Sequence, residues 1–156
     1  MDKSMPICRN LPELSLNTLL TERRISALGN DIVSIPRIAS LLTRGGDRFM
    51  RRCFTPAEVS DCLGKANPPV HFAGRWAAKE AVFKALRLKW DRPFSWKEIE
   101  IVSGPDHAPL VRLSPAILKR YPPDQVPEIL LSISHCSEYA YAVALVLTGQ
   151  KSEVKR

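Results

Sequence analysis

Glu80 and Lys84 stand four residues apart in the run AGRWAAKEAVFKAL, from Ala73 to Leu86. Helical geometry puts a carboxylate and an ammonium at that spacing on one face. Alone they would form an ordinary solvated pair, worth about 0.2–0.5 kcal/mol. Two other segments argue for more. Asp31 lies among Leu28, Ile32 and Val33, where an unpaired carboxylate is costly to bury and needs a cation, an arginine or water. Ser132, Ser134 and His135 close another apolar run. Two carboxylates on separate elements, Asp31 and Glu80, suit Mg²⁺, a hard cation that takes oxygen ligands and keeps positions for substrate phosphates. Lys84 would neutralise charge on a bound pyrophosphate. Arg75 would add a phosphate contact from the first turns of the same helix, near free backbone N–H groups. The candidate chemistry is a metal–phosphate site assembled by the fold.

Each residue also has an ordinary reading. Asp31 can be a strand-end aspartate paired with an arginine, Arg75 a solvated arginine lying across Trp76 or Phe72, and His135 a satisfied loop histidine. Ser132 and Ser134 alternate along a strand and can simply face solvent. No nucleophile motif accompanies them, which argues against a hydrolytic triad and leaves His135 as a ligand contact. A further signal is basic: Arg37, Arg44, Arg48, Arg51 and Arg52 face a single acid, Asp47, between Pro36 and Thr55. Such a segment either receives an acidic helix of a partner protein or is a solvated cationic face.

The elements that must position these groups can be read from caps and periodicity. Residues 25–35 form a strand, with Gly29 marking a bend or close approach. A short helix runs from Pro36 to about Leu42, opened by Ser34 as cap. Thr55 caps a second helix, with Glu58 completing a capping box. The long helix spans about Val70 to Leu88, with Phe72, Trp76, Phe83 and Leu86 as its core stripe. Strands follow at 98–102, 110–113, 129–134 and 139–147, with a short helix at 115–121 and a hairpin loop from His135 to Glu138. Helices early and strands late indicate an α+β domain with helices packed on an antiparallel sheet.

The 156 residues provide one domain with a core. Its limits are read as 25–148, with an N-terminal extension at 1–24, flexible or targeting in role, and a polar tail at 149–156. A net charge of +7 favours an anionic partner without choosing among nucleic acid, lipid, phosphorylated ligand or acidic protein. No apolar run approaches the roughly 20 residues that span a bilayer. Cys8, Cys53, Cys62 and Cys136 are dispersed, without zinc-ligand spacing. Free thiols suit a reducing compartment, cytosol or mitochondrial matrix, and no secretory signal precedes the domain.

GNDIVSIPRI, RFMRRCFTPAE, AGRWAAKEAVFKAL and SISHCSEYAYA together resemble the 4′-phosphopantetheinyl transferases of the holo-acyl-carrier-protein synthase type, in the family's order, over about residues 25–147. The resemblance implies transfer of 4′-phosphopantetheine from coenzyme A to a serine of an apo acyl carrier protein, releasing adenosine 3′,5′-bisphosphate. It places Mg²⁺ on Asp31 and Glu80, the coenzyme A pyrophosphate near Lys84, further coenzyme A contacts at Arg75 and His135, and the carrier protein against Arg37, with Arg48 and Arg52 in the same basic segment. Glu80 or a metal-bound water would take the serine proton. Bacterial members are homotrimers with sites between subunits, so a homotrimer is expected. Ala27 stands where the family's first motif has glycine, Arg87 to Arg92 replace a glycine-rich turn, and the extension has no counterpart in compact members. The competing function is a non-catalytic basic module that binds nucleic acid. It leaves Asp31 and Glu80 without a role, and the aromatics sit at core spacing and form no stacking platform.

Overall fold

The computed structural model describes residues 24–89, 93–104 and 107–148. The readings of the extension up to residue 23, of the tail from residue 149, and of residues 90–92 after the long helix lie outside the described residues.

Gly29 sets how closely the first strand, β1 (Arg24–Ser34), approaches the long helix, α3 (Pro68–Ala85). A Cβ at this glycine would lie 2.1 Å from the Ala81 carbonyl oxygen and 2.5 Å from the Ala85 nitrogen. Backbone fills the space a side chain would need, as the close-approach reading requires. The same tightness explains why α3 buries Ala73, Ala77, Ala78, Ala81 and Ala85 against Ala140, Ala142 and Ala144 of the last strand, β5 (Tyr139–Thr148). Small residues on both sides bring helix and sheet together. The aromatic stripe expected on α3 is correspondingly divided: Phe72 and Leu86 are buried, while Trp76 and Phe83 are half-buried at its edge.

β1 pairs antiparallel with β5, and β5 with β4 (Glu128–His135). Gly29, Asp31 and Val33 lie opposite Ala144, Ala142 and Ala140, so Asp31 shares the face that meets α3. A second antiparallel pair, β2 (Ile99–Ser103) with β3 (Pro109–Leu113), follows a 3₁₀ turn at Trp96–Glu98. A four-residue helix, α4 (Pro115–Leu118), leads towards β4. The α+β expectation holds, with the strands divided between two sheets. His135 ends β4 and does not belong to the loop.

Ser34 caps α1 (Ile35–Cys53), its Oγ accepting from the Arg37 N–H at 3.4 Å. This helix is far longer than the short one read from Pro36 to Leu42. Gly45 and Gly46 look like a terminus, yet only Gly45 leaves helical geometry and the chain resumes the helix after it. Phe49 explains the resumption: its ring packs edge-on against Phe54 at 5.4 Å and Trp76 at 5.8 Å. Tertiary packing outweighs a local breaker. Thr55 caps α2 (Pro56–Leu63) with the expected capping box: its N–H donates to the Glu58 carboxylate at 2.8 Å and its Oγ1 accepts from the Glu58 N–H at 3.3 Å.

Candidate active site

Asp31 reaches the site from β1, and Glu80 and Lys84 reach it from successive turns of α3. Lys84 Nζ donates to Asp31 Oδ1 at 2.7 Å and to the Asn30 carbonyl at 3.0 Å. The Asp31 side chain is 13% exposed and that of Lys84 50%, so the carboxylate is held while the ammonium remains free to turn towards an incoming anion. Burial raises the Glu80 pKa first, and the neighbouring Asp31 charge and a hydrogen bond with it raise it further, opposed by Lys84 and Arg37. Two carboxylates thus lean on one another, and one already draws an ammonium.

This pair fits a hard cation. Among the described residues no group of three or more His, Cys, Asp and Glu side chains gathers, but Mg²⁺ needs only one or two carboxylates when substrate phosphates and water complete its shell. The carboxylates open on a cavity of about 1150 Å³ whose other wall is α1. Arg37, Arg44, Arg48, Arg51 and Arg52 all line it, and Ile38, Leu41, Phe49, Trp76 and Trp96 supply apolar patches between them. The arginines of the basic segment are exposed and address the same space as Asp31 and Glu80.

Arg75 and His135 belong to a different cluster. Arg75 sits about two turns into α3, past the free N–H groups of its first turn. It is buried and donates through Nη2 to Asp61 of α2, which also binds Lys65 at 3.2 Å. Its buried Nε has no hydrogen-bond acceptor among the described residues. His71 lies beside it, its pKa lowered by burial first and then by the charges of Arg75, Lys65 and His135. His135 is on the inner sheet face, opposite Ala140. Two strand spacings and two residues separate it from Asp31, about 12 Å at the backbone. The described residues therefore gather two polar clusters, Asp31–Glu80–Lys84 facing the arginines, and Arg75–His71–His135.

Residues 27–144 match the model of the 4′-phosphopantetheinyl transferase superfamily. The chain belongs to this superfamily. Within it, the holo-[acyl-carrier-protein] synthase of Protochlamydia amoebophila is 42% identical over 118 residues, covering 76% of this chain and 94% of that protein. The Chlamydia muridarum holo-[acyl-carrier-protein] synthase is 44% identical over 126 residues, covering 81% and 98%. Among solved structures, the Helicobacter pylori holo-[acyl-carrier-protein] synthase in complex with coenzyme A superposes with a TM-score of 0.66 at 34% identity, over 76% of this chain and 98% of that one. The chain is thus a phosphopantetheinyl transferase of the holo-acyl-carrier-protein synthase type, an enzyme of α+β fold.

Sequence reasoning misses three residues of this transferase. Lys79, between Ala77-Ala78 and Glu80, receives no role from it, although a lysine among alanines on a helix buried nearly all round must find an internal acceptor. Trp96 receives none either; its ring lies 4.7 Å from that of Trp76 and forms part of the cavity wall. Asp61, the partner of Arg75, lies 14 residues away in sequence and gives no local signal.

The raised Glu80 pKa has a measurable consequence. In metal-free protein, a carbon-detected NMR titration is expected to show Glu80 titrating above the ordinary carboxylate range. Lys84→Met should move it higher still, because the ammonium that favours the ionised form is gone. A Glu80 that titrates with the exposed glutamates would remove the close carboxylate pair.

Proposed function

We infer that the Asp31–Glu80–Lys84 cluster moves 4′-phosphopantetheine from coenzyme A to a serine of an apo acyl carrier protein. The observation that carries this reading is the meeting of two carboxylates from separate elements at the mouth of an arginine-lined cavity. Asp31 and Glu80 would hold Mg²⁺, which when bound neutralises the pyrophosphate and polarises the phosphoryl oxygen. The serine oxygen bonds to the β-phosphorus and the bond from phosphorus to the α,β-bridging oxygen breaks. Adenosine 3′,5′-bisphosphate leaves with that electron pair. Lys84, half exposed and tied to Asp31, is placed to turn onto the departing phosphates. Glu80 or a water beside it takes the serine proton, and a raised pKa suits Glu80 to that role.

Arg75 and His135 are assigned to coenzyme A. The Nε of Arg75 lacks a hydrogen-bond acceptor among the described residues, and the guanidinium beside His71 and His135 makes a cationic corner that suits an anionic group of the nucleotide. Their distance from Asp31 suits a site completed by a neighbouring subunit, as in a homotrimer. The outer face of β1, β5 and β4 supports such an assembly, since Leu28, Ile32, Leu130, Tyr139 and Tyr141 are exposed there. Arg37, Arg48 and Arg52 are assigned to the carrier protein. Cys53 and Cys62 are buried free thiols and Cys136 an exposed one, and among the described residues no helix is long and apolar enough to cross a membrane. The free thiols suit either reducing compartment, and the bacterial relatives favour the cytoplasm over the mitochondrial matrix.

Incubation with coenzyme A, Mg²⁺ and an apo acyl carrier protein, followed by intact-mass spectrometry, tests the reading. The carrier is expected to gain one phosphopantetheine mass. No gain with any of several bacterial carriers, together with salt-sensitive binding of nucleic acid, would overturn it in favour of the basic-module alternative.

A further inference from the structure

Gly45 divides α1 into two arginine-bearing halves at φ 156° and ψ 43°, the helix's only non-helical residue. A Cβ there would meet no atom within 4 Å. Space does not require glycine at this position; the backbone conformation does. Gly46 is the reverse case, helical and buried, where a Cβ would make ordinary contacts with Met50 and Leu42 at 3.7 and 3.8 Å.

In an unbroken helix Arg37, Arg44, Arg48 and Arg51 would fall within about 60° of one another, a straight stripe about 21 Å long. Such a stripe attracts any extended polyanion. The break bends it. Arg37 and Arg44 from the first half, and Arg48 and Arg52 from the second, line one cavity with Gly45 itself on the lining, and the carboxylates Asp31 and Glu80 stand on its far wall.

We propose that Gly45 is a specificity-determining position: its bend makes a linear arginine stripe into a concave cradle that accepts the acidic surface of the carrier protein and presents its serine to Asp31 and Glu80. This rests on the carrier-docking reading above. Curvature, and not charge alone, then separates the carrier from other anions, because charge supplies attraction while shape decides which anion fits.

The test compares Gly45→Ala with Gly46→Ala, and each with Arg37→Glu and Arg48→Glu, in steady-state transfer at low ionic strength. Gly45→Ala is expected to raise the KM for the carrier at least about tenfold while the KM for coenzyme A moves less than about twofold. Its helical circular dichroism should not fall, since alanine favours helix. Gly46→Ala should keep the wild-type carrier KM. Arg48→Glu should raise the carrier KM in the wild-type background and add little in Gly45→Ala, a coupling that a general loss of stability would not produce. Inhibition by heparin, an extended polyanion without a carrier's shape, should not weaken in Gly45→Ala, where the carrier KM rises. A wild-type carrier KM in folded Gly45→Ala, with Arg37→Glu impaired, overturns the cradle and leaves docking in place. Should Gly45→Ala not fold, a wild-type carrier KM in Arg48→Glu overturns it instead. If Arg37→Glu and Arg48→Glu are both neutral while transfer proceeds, it is the docking reading that falls.

Discussion

Asp31→Ala and Glu80→Ala are each expected to lower phosphopantetheinyl transfer about 10³-fold or more, equivalent to about 4 kcal/mol of transition-state stabilisation. The fold should survive both changes. Among the described residues Asp31 pairs with Lys84 and Glu80 forms no ion pair that holds an element in place, and Lys84 is half exposed, so the lost pair costs at most about 1 kcal/mol. The chemical loss follows from ligand number. Mg²⁺ at a protein site commonly has one or two carboxylates, and with one removed no other acid stands near enough to replace it among the described residues. A chelator should abolish wild-type activity and added Mg²⁺ restore it. Melting curves on the same samples separate lost chemistry from lost structure. Near wild-type turnover in either variant at saturating Mg²⁺ would remove that residue from the site.

What the chain discloses before folding is what depends on neighbours in sequence. Ser34 with Arg37, and Thr55 with Glu58, interact over three residues, so both caps can be read directly. Gly29 is legible as a close approach because glycine weakens an apolar strand and is kept there where a bend or a neighbouring backbone leaves no room for a side chain. The second half of α1 is not legible, because Gly45-Gly46 signals a terminus and only Phe49, packing on Trp76 27 residues later, restores the helix. The site divides in the same way. Glu80 and Lys84 share a helix face by spacing alone, and Asp31 stands out because a carboxylate in an apolar run needs a partner. The family resemblance names the same residues and gives specific partners to Arg37, Arg75 and His135, which charge and position had already singled out. Neither route shows that Arg75 is buried against Asp61, a contact that exists only once α2 packs on α3.

Lys79→Met is expected to be the most destabilising conservative change in the described part of the molecule, at about 3–5 kcal/mol, the cost of leaving a buried charge without its partner. Lys79 and Glu58 are both fully buried and their charges stand 2.9 Å apart. Lys79 Nζ also donates to the Trp96 carbonyl at 3.0 Å and to that of Ile99, and lies 5.5 Å from the centre of the Phe54 ring. Burial pushes the Lys79 pKa down and Glu58 opposes it. Glu58 in turn accepts from the Thr55 N–H at 2.8 Å and the Ile101 N–H at 2.9 Å. The network therefore joins α2, α3 and β2, and no apolar replacement of both partners should be neutral, because two backbone donors would lose their acceptor. Glu58→Gln removes the stranded charge and keeps an acceptor oxygen for one of the two backbone donors, which bond to different carboxylate oxygens. The double variant Lys79→Met with Glu58→Gln should thus recover about 1–2 kcal/mol relative to Lys79→Met alone, a positive coupling measurable by urea unfolding. At a temperature where Lys79→Met is still folded, transfer should persist, since neither Asp31 nor Lys84 touches the network. A Lys79→Met variant as stable as the wild type, or additive changes in the double variant, would show that the lysine merely fills space.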